Sequence, residues 1–107
     1  MASEIVDLFV EQGADYSLQL ALSDALGVAW DWDLYTARGS VKIDMSTFTM
    51  SFTEGDDGVI TLEIPASTTQ TIPHGVGLYD VEIVEDATGF VQRIMKGRVY
   101  IDQEVTI

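Results

Sequence analysis

Asp31 and Asp33 alternate with Trp30 and Trp32, and two carboxylates beside aromatic rings are the equipment of glycoside hydrolysis. A strand period of two sets both carboxylates on one side, and so short a chain builds no groove around them, so the pair reads better as a structural edge or loop. Trp30, Trp32 and Tyr35 form a second constellation, an aromatic platform for sugar stacking or for a protein partner. On one strand face both tryptophans lie inside or both outside, and their apolar area favours the core. Outside, Trp30 and Trp32 are partner contacts. In Glu54-Gly55-Asp56-Asp57-Gly58, hard oxygen ligands sit in a glycine-rich loop that suits calcium but lacks EF-hand spacing. A tight turn with a solvated acidic tip explains the same residues, which leaves Glu54, Asp56 and Asp57 as metal candidates only. His74, between Pro73 and Gly75, lies in a predicted loop; a catalytic base needs a nucleophile and an orienting acid beside it, and surface decoration is the better reading. The chain has no cysteine, which excludes disulfides, thiolate nucleophiles and cysteine-based zinc sites. No catalytic role, and no cofactor, is expected.

The elements that position these groups must come from one small core. A chain of 107 residues reads as one domain over 1–107, burying about two thirds of its unfolded surface. Its 47% hydrophobic content supports a packed fold despite the charge. Eighteen acids against five bases leave a net charge of −13, and no base precedes Arg38. Such a surface repels phosphate, so nucleic acid is not an expected partner. The charge serves solubility and delays self-association, or else offers an acidic face to a basic partner or to divalent cations. No apolar stretch approaches the ~20 residues that span a bilayer, and Met1-Ala2-Ser3-Glu4 lacks the basic start of a signal peptide, so neither membrane insertion nor export by that route is expected. Absence of cysteine fits synthesis in a reducing cytoplasm.

The period is two almost everywhere. Tyr16, Leu18, Leu20 and Leu22 alternate with small polar residues and alanine; Tyr35 to Ile43, Phe48 to Phe52, Ile60 to Ile64 and Tyr79 to Ile83 do the same. Slipping any of these by one residue turns its apolar set to solvent, which fixes the registers. Leu78 to Val84 and Phe90 to Ile101 flank the polar turn Glu85-Asp86-Ala87-Thr88-Gly89 and predict a hairpin. Asp24 to Gly27 and Glu54 to Gly58 carry turn chemistry as well. Pro65 and Pro73 bracket a segment whose Ser67 and Gln70 predict a short capping box, giving one helical turn near residues 66–72. Gly97, between Lys96 and Arg98, predicts a bulge. The sum is an all-β fold, an antiparallel β-sandwich of about seven or eight short strands.

The order of these features resembles small phage virion structural proteins with an immunoglobulin-like β-sandwich, similar to the N-terminal domain of lactococcal phage baseplate upper proteins. The resemblance rests on Gly13-Ala14-Asp15-Tyr16-Ser17-Leu18-Gln19-Leu20, Trp32-Asp33-Leu34-Tyr35-Thr36-Ala37-Arg38, Gly58-Val59-Ile60-Thr61-Leu62, Gly77-Leu78-Tyr79-Asp80-Val81-Glu82-Ile83, the strand from Val91 to Ile101, and the closing Glu104-Val105-Thr106. It covers residues 11–107. Two departures are Trp30-Asp31-Trp32, in place of a commoner proline-containing lead-in, and His74-Gly75-Val76-Gly77 before Leu78. The resemblance implies a non-enzymatic virion component made in the host bacterial cytoplasm, a capsid decoration (cement) protein or a tail or baseplate accessory module. Its implied partners are other virion proteins of capsid or tail, or copies of itself. The alternative is a carbohydrate- or calcium-binding adhesion module using Trp30–Tyr35 and the acidic loops.

Residues 1–12 lie mostly ahead of that resemblance. Ile5, Leu8 and Phe9 give this segment more apolar area than a free tail exposes, so it is expected to be either a docking arm, with those three side chains on a partner, or an edge strand of its own sandwich.

Overall fold

The structure, a computed structural model, describes residues 4–23 and 26–105. The chain forms a two-sheet β-sandwich, as the alternating pattern requires. Its elements are β1 (Glu4–Ile5), β2 (Leu8–Glu11), β3 (Tyr16–Ala21), a 3-10 turn (Trp32–Leu34), β4 (Tyr35–Ile43), β5 (Ser46–Thr49), β6 (Ser51–Glu54), β7 (Val59–Ile64), α1 (Ala66–Thr69), β8 (Gly75–Glu85) and β9 (Val91–Asp102). The large sheet runs β1-β9-β8-β4-β5, with β2 continuing β1 along the same edge of β9; the small sheet is β3-β7-β6.

Inward residues of both sheets make one core. From the large sheet come Leu8, Val10, Val41, Tyr79, Val81, Ile83 and Val99, and from the small sheet Ile60, Leu62 and Ile64, with Leu18, Leu20, Phe48 and Phe52 half-buried against them. Each fully buried aliphatic side chain contributes about 1.5–3 kcal/mol relative to exposure. The predicted registers hold: Leu18 faces Leu62 and Leu20 faces Ile60, while Val81 and Ile83 face Gly39 and Ala37. The β8–β9 hairpin closes where predicted, with Glu85 N–H donating to the Phe90 carbonyl at 2.9 Å and Gly89 N–H to the Glu85 carbonyl at 2.8 Å. Of the predicted turn from Asp24 to Gly27, Asp24 and Ala25 lie outside the described residues. Thr106, the end of the closing triplet, does too.

Four expectations are corrected. The run from Phe48 to Phe52 is not one strand: it breaks at Met50, so that β5 pairs with β4 and β6 pairs with β7, carrying the chain from one sheet to the other. The sandwich is not wholly antiparallel, because β1 and β2 both run parallel to β9. The helical turn forms, but Pro65 stands at its N-cap and no side-chain cap from Ser67 exists. Instead Asp15 Oδ1 accepts from Ala66 N–H at 2.6 Å, and the buried Thr69 hydroxyl donates to the Ala14 carbonyl at 2.7 Å and accepts from Gly13 N–H at 3.1 Å. Finally, the irregularity in β9 falls opposite Val81/Glu82, not at Gly97. Gly97 is glycine because the N-terminal segment crosses there: a Cβ would lie 2.2 Å from the Val6 carbonyl oxygen.

Residues 4–11 therefore form an edge of the chain's own large sheet. Leu8 is 2% exposed, which removes it from the expected partner contacts and gives it to the core, whereas Ile5 at 77% and Phe9 at 70% remain on the surface. Among the described residues no helix is long and apolar enough to cross a membrane.

Candidate functional site

The two acidic stretches singled out in the sequence meet in space. Trp30 to Asp33 and Glu54 to Gly58 line one hollow of about 200 Å³ at an end of the sandwich. What joins them is a backbone junction: Leu22 N–H donates to the Gly58 carbonyl at 3.0 Å and Trp30 N–H to the Leu22 carbonyl at 2.9 Å. Gly58 is at φ +77, and a Cβ there would lie 2.3 Å from the Leu22 oxygen, so no other residue fits this turn unchanged. Asp86 joins the same end, its N–H donating to the Leu34 carbonyl at 3.0 Å.

Local duties account for much of this cluster. Asp31 caps the 3-10 turn, its Oδ1 accepting from Asp33 N–H at 3.0 Å. Trp32 is 4% exposed and belongs to the core, so it is not a partner contact. Trp30 is half-buried and packs on Tyr35, with ring centroids 4.6 Å apart. The Tyr35 hydroxyl donates to Glu85 at 3.3 Å, and its phenol is pushed up by desolvation first and by the Glu85 carboxylate second. The two tryptophans thus form no exposed platform, because the 3-10 turn breaks the strand period that would have aligned them. Glu54, Asp56 and Asp57 are exposed, and among the described residues no group of three acidic or histidine side chains is arranged to hold a metal. At about 200 Å³ the hollow also falls below the ~300 Å³ at which ligand pockets begin. His74 is exposed, ahead of β8.

A second site went unread in the sequence. On the outer face of the large sheet the register aligns Phe9, Tyr100 and Val76 in one row, and Arg98, Leu78 and Lys42 in the next. Ile5, Lys96, Asp80 and Ser40 follow, then Arg93, Glu82 and Arg38. Every base in the chain stands in these rows. Phe9 stacks on Tyr100 with centroids 5.1 Å apart and planes 11° from parallel. Val76 and Leu78 are 57% and 64% exposed, so these side chains form a contiguous apolar strip set among cations. A shallow groove of about 580 Å³ adjoins it at Leu78, lined by Ile5, Arg93, Lys96 and Arg98 and by the acids Asp7 and Asp80. Arg38 bridges Glu82 at 3.0 Å and Arg93 bridges Asp80 at 3.3 Å, while Lys42, Lys96 and Arg98 make no ion pair among the described residues. The signal was present at period two: Lys96, Arg98 and Tyr100 share one parity of β9, as Val76 and Leu78 do on β8.

The apolar part of the sheet face lies away from the hollow. Leu78 and Glu85 are separated along β8 by about 23 Å of strand at ~3.3 Å per residue, in a molecule 47 Å long. No family model matches this chain, and no curated protein does. Among solved structures it is similar to InlP of Listeria monocytogenes, with a TM-score of 0.51 and 20% identity over 94% of this chain. The chain spans 28% of the length of that protein, and the likeness is one of fold.

Proposed function

We propose that this chain is a non-enzymatic structural protein of a phage virion, a capsid decoration or tail or baseplate module that acts through protein–protein contacts. The observation that supports this is the outer face of the large sheet, where Phe9, Val76, Leu78 and Tyr100 lie side by side on a surface the chain's own fold leaves uncovered. Isolated exposed apolar residues are ordinary on monomers, whereas a contiguous strip with two stacked aromatic rings and an adjacent arginine has the composition of an interface. The sequence resemblance to phage sandwich proteins supplies the setting. Mass spectrometry of particles purified from cells producing the encoding phage tests it: peptides of this chain at a fixed ratio to a major virion protein are expected, and their absence from intact particles overturns the reading.

The adhesion alternative gains one observation, the convergence of Trp30–Asp33 with Glu54–Gly58. Its test is calcium titration of the isolated protein by calorimetry. Saturable binding removed by Asp56→Asn would favour it; heat no larger than dilution would exclude the calcium form.

A further inference from the structure

We propose that the basic, apolar face of the large sheet docks the acidic end of a second copy of this chain, so that copies associate head to tail. The inference deepens the proposed role and rests on it only for where assembly happens.

The argument starts from charge. At −13, two copies repel at a distance, so a contact that sets unlike surfaces together is favoured over one that sets like surfaces together. All five bases lie on one sheet face. Two of them are engaged with Glu82 and Asp80, which leaves Lys42, Lys96 and Arg98 around Leu78 and the groove. The hollow is lined by Asp31, Asp33, Glu54, Asp56 and Asp57 and by no base. Setting the patch of Lys42, Lys96 and Arg98 on its own copy would bring cations together, and pairing of two acidic ends would set carboxylates against carboxylates. Face against end is the complementary choice.

Shape agrees with charge. The Glu54–Gly58 turn is a tight one at the end of a hairpin, closed by Gly55 N–H donating to the Val59 carbonyl at 2.8 Å. Exposed Leu34, next to Asp33 in the 3-10 turn, supplies apolar surface at that end for the strip of Phe9, Val76 and Leu78 to cover. Because face and end lie on different parts of one molecule, the contact is heterologous, and each copy keeps a free face and a free end; it propagates into a ring or an open string.

Sedimentation of the purified chain across a concentration series tests this, with two charge-reversed forms. One carries Lys42→Glu and Arg98→Glu on the face, the other Asp33→Lys and Asp56→Lys at the end. All four positions are exposed, and circular dichroism checks that each form folds. The expected result is reversible association of the wild-type chain. Either double substitution weakens it by more than about tenfold, and an equimolar mixture of the two forms restores it, because each then offers what the other lacks. A chain that stays monomeric to about millimolar concentration overturns the proposal. So does association that survives either substitution, or a mixture that restores nothing. Particle composition is a separate measurement: the chain can be found in virions without self-association, and can self-associate without being a virion protein.

Discussion

The Tyr79 hydroxyl donates to the Val6 carbonyl, passing over Gly97, the residue that faces Tyr79 on β9. Tyr79 is 4% exposed, so one buried phenol fixes the crossing point between β1 and β2. Removing the hydroxyl in Tyr79→Phe leaves that carbonyl without its partner and is expected to cost about 1–3 kcal/mol, read as a lower midpoint in denaturant. Gly97→Ala acts on the same junction from the other side and is expected to loosen residues 4–11, seen as faster amide exchange there than in β7.

The same phenol sets an alkaline limit. Its pKa is pushed up to about 12, by burial first and then by Tyr16 and Asp7. The folded chain holds this proton more tightly than the unfolded chain, whose tyrosines titrate near the ordinary value of about 10. The contribution to stability is full below about pH 10 and is lost as pH rises toward 12. Melting curves between those limits are expected to shift down in the wild type and to shift less in Tyr79→Phe; equal shifts in both would assign the limit to other groups.

Neighbouring N-terminal residues are expected to differ sharply. Leu8 is buried and Phe9 exposed, so Leu8→Ala should cost about 2–5 kcal/mol, while Phe9→Ala, losing mainly its stacking on Tyr100, should cost no more than about 1.5 kcal/mol. Deleting residues 2–10 strips one edge from the large sheet and is expected to lower the melting temperature, as a free arm would not.

Trp32 offers a test of the core reading. Trp32→Ala is expected to cost about 3–5 kcal/mol. Trp32→Phe should cost much less, since the buried indole N–H has no hydrogen-bond partner among the described residues. Chemical denaturation followed by circular dichroism compares the two.

Ionic strength acts on the whole surface. With −13 on one small domain, added sodium chloride relieves self-repulsion over a Debye length of about 8 Å at ~0.15 M, and the melting temperature should rise with salt. A flat curve would mean that the acids are compensated locally.

What the sequence made legible follows from what alternation can encode. The registers of β3, β7 and β8 were readable because Leu18, Leu62 and Val81 must all reach one core. The break at Met50 was invisible for the same reason: a strand that switches sheets keeps the same parity toward the same core, so Phe48 and Phe52 both point inward across the switch. Ile5, Leu8 and Phe9 announced apolar area that needs a cover, but a docking arm and an edge strand cover it equally well, and only the pairing with β9 separates buried Leu8 from exposed Ile5 and Phe9. Gly97 was recognised as special, yet only the crossing of Val6 shows why. Both sites depend on pairings between distant segments, such as Leu22 with Gly58 or Arg98 beside Leu78, and no local pattern carries those.

The parallel pairing of β2 with β9 has a consequence for how the chain is made. Asp7 and Arg98, joined by a hydrogen bond of 3.2 Å, are 91 positions apart, so this seam closes only after β9 has left the ribosome. Until then Leu8 and Val10 have no strand to lie against, and the long loop that must close makes this a late, slow step in reaching the native state. Residues 4–11 wait longest, because β3 finds its partner β7 earlier in the chain, and the acids Glu4, Asp7 and Glu11 help to keep nascent copies apart during that interval.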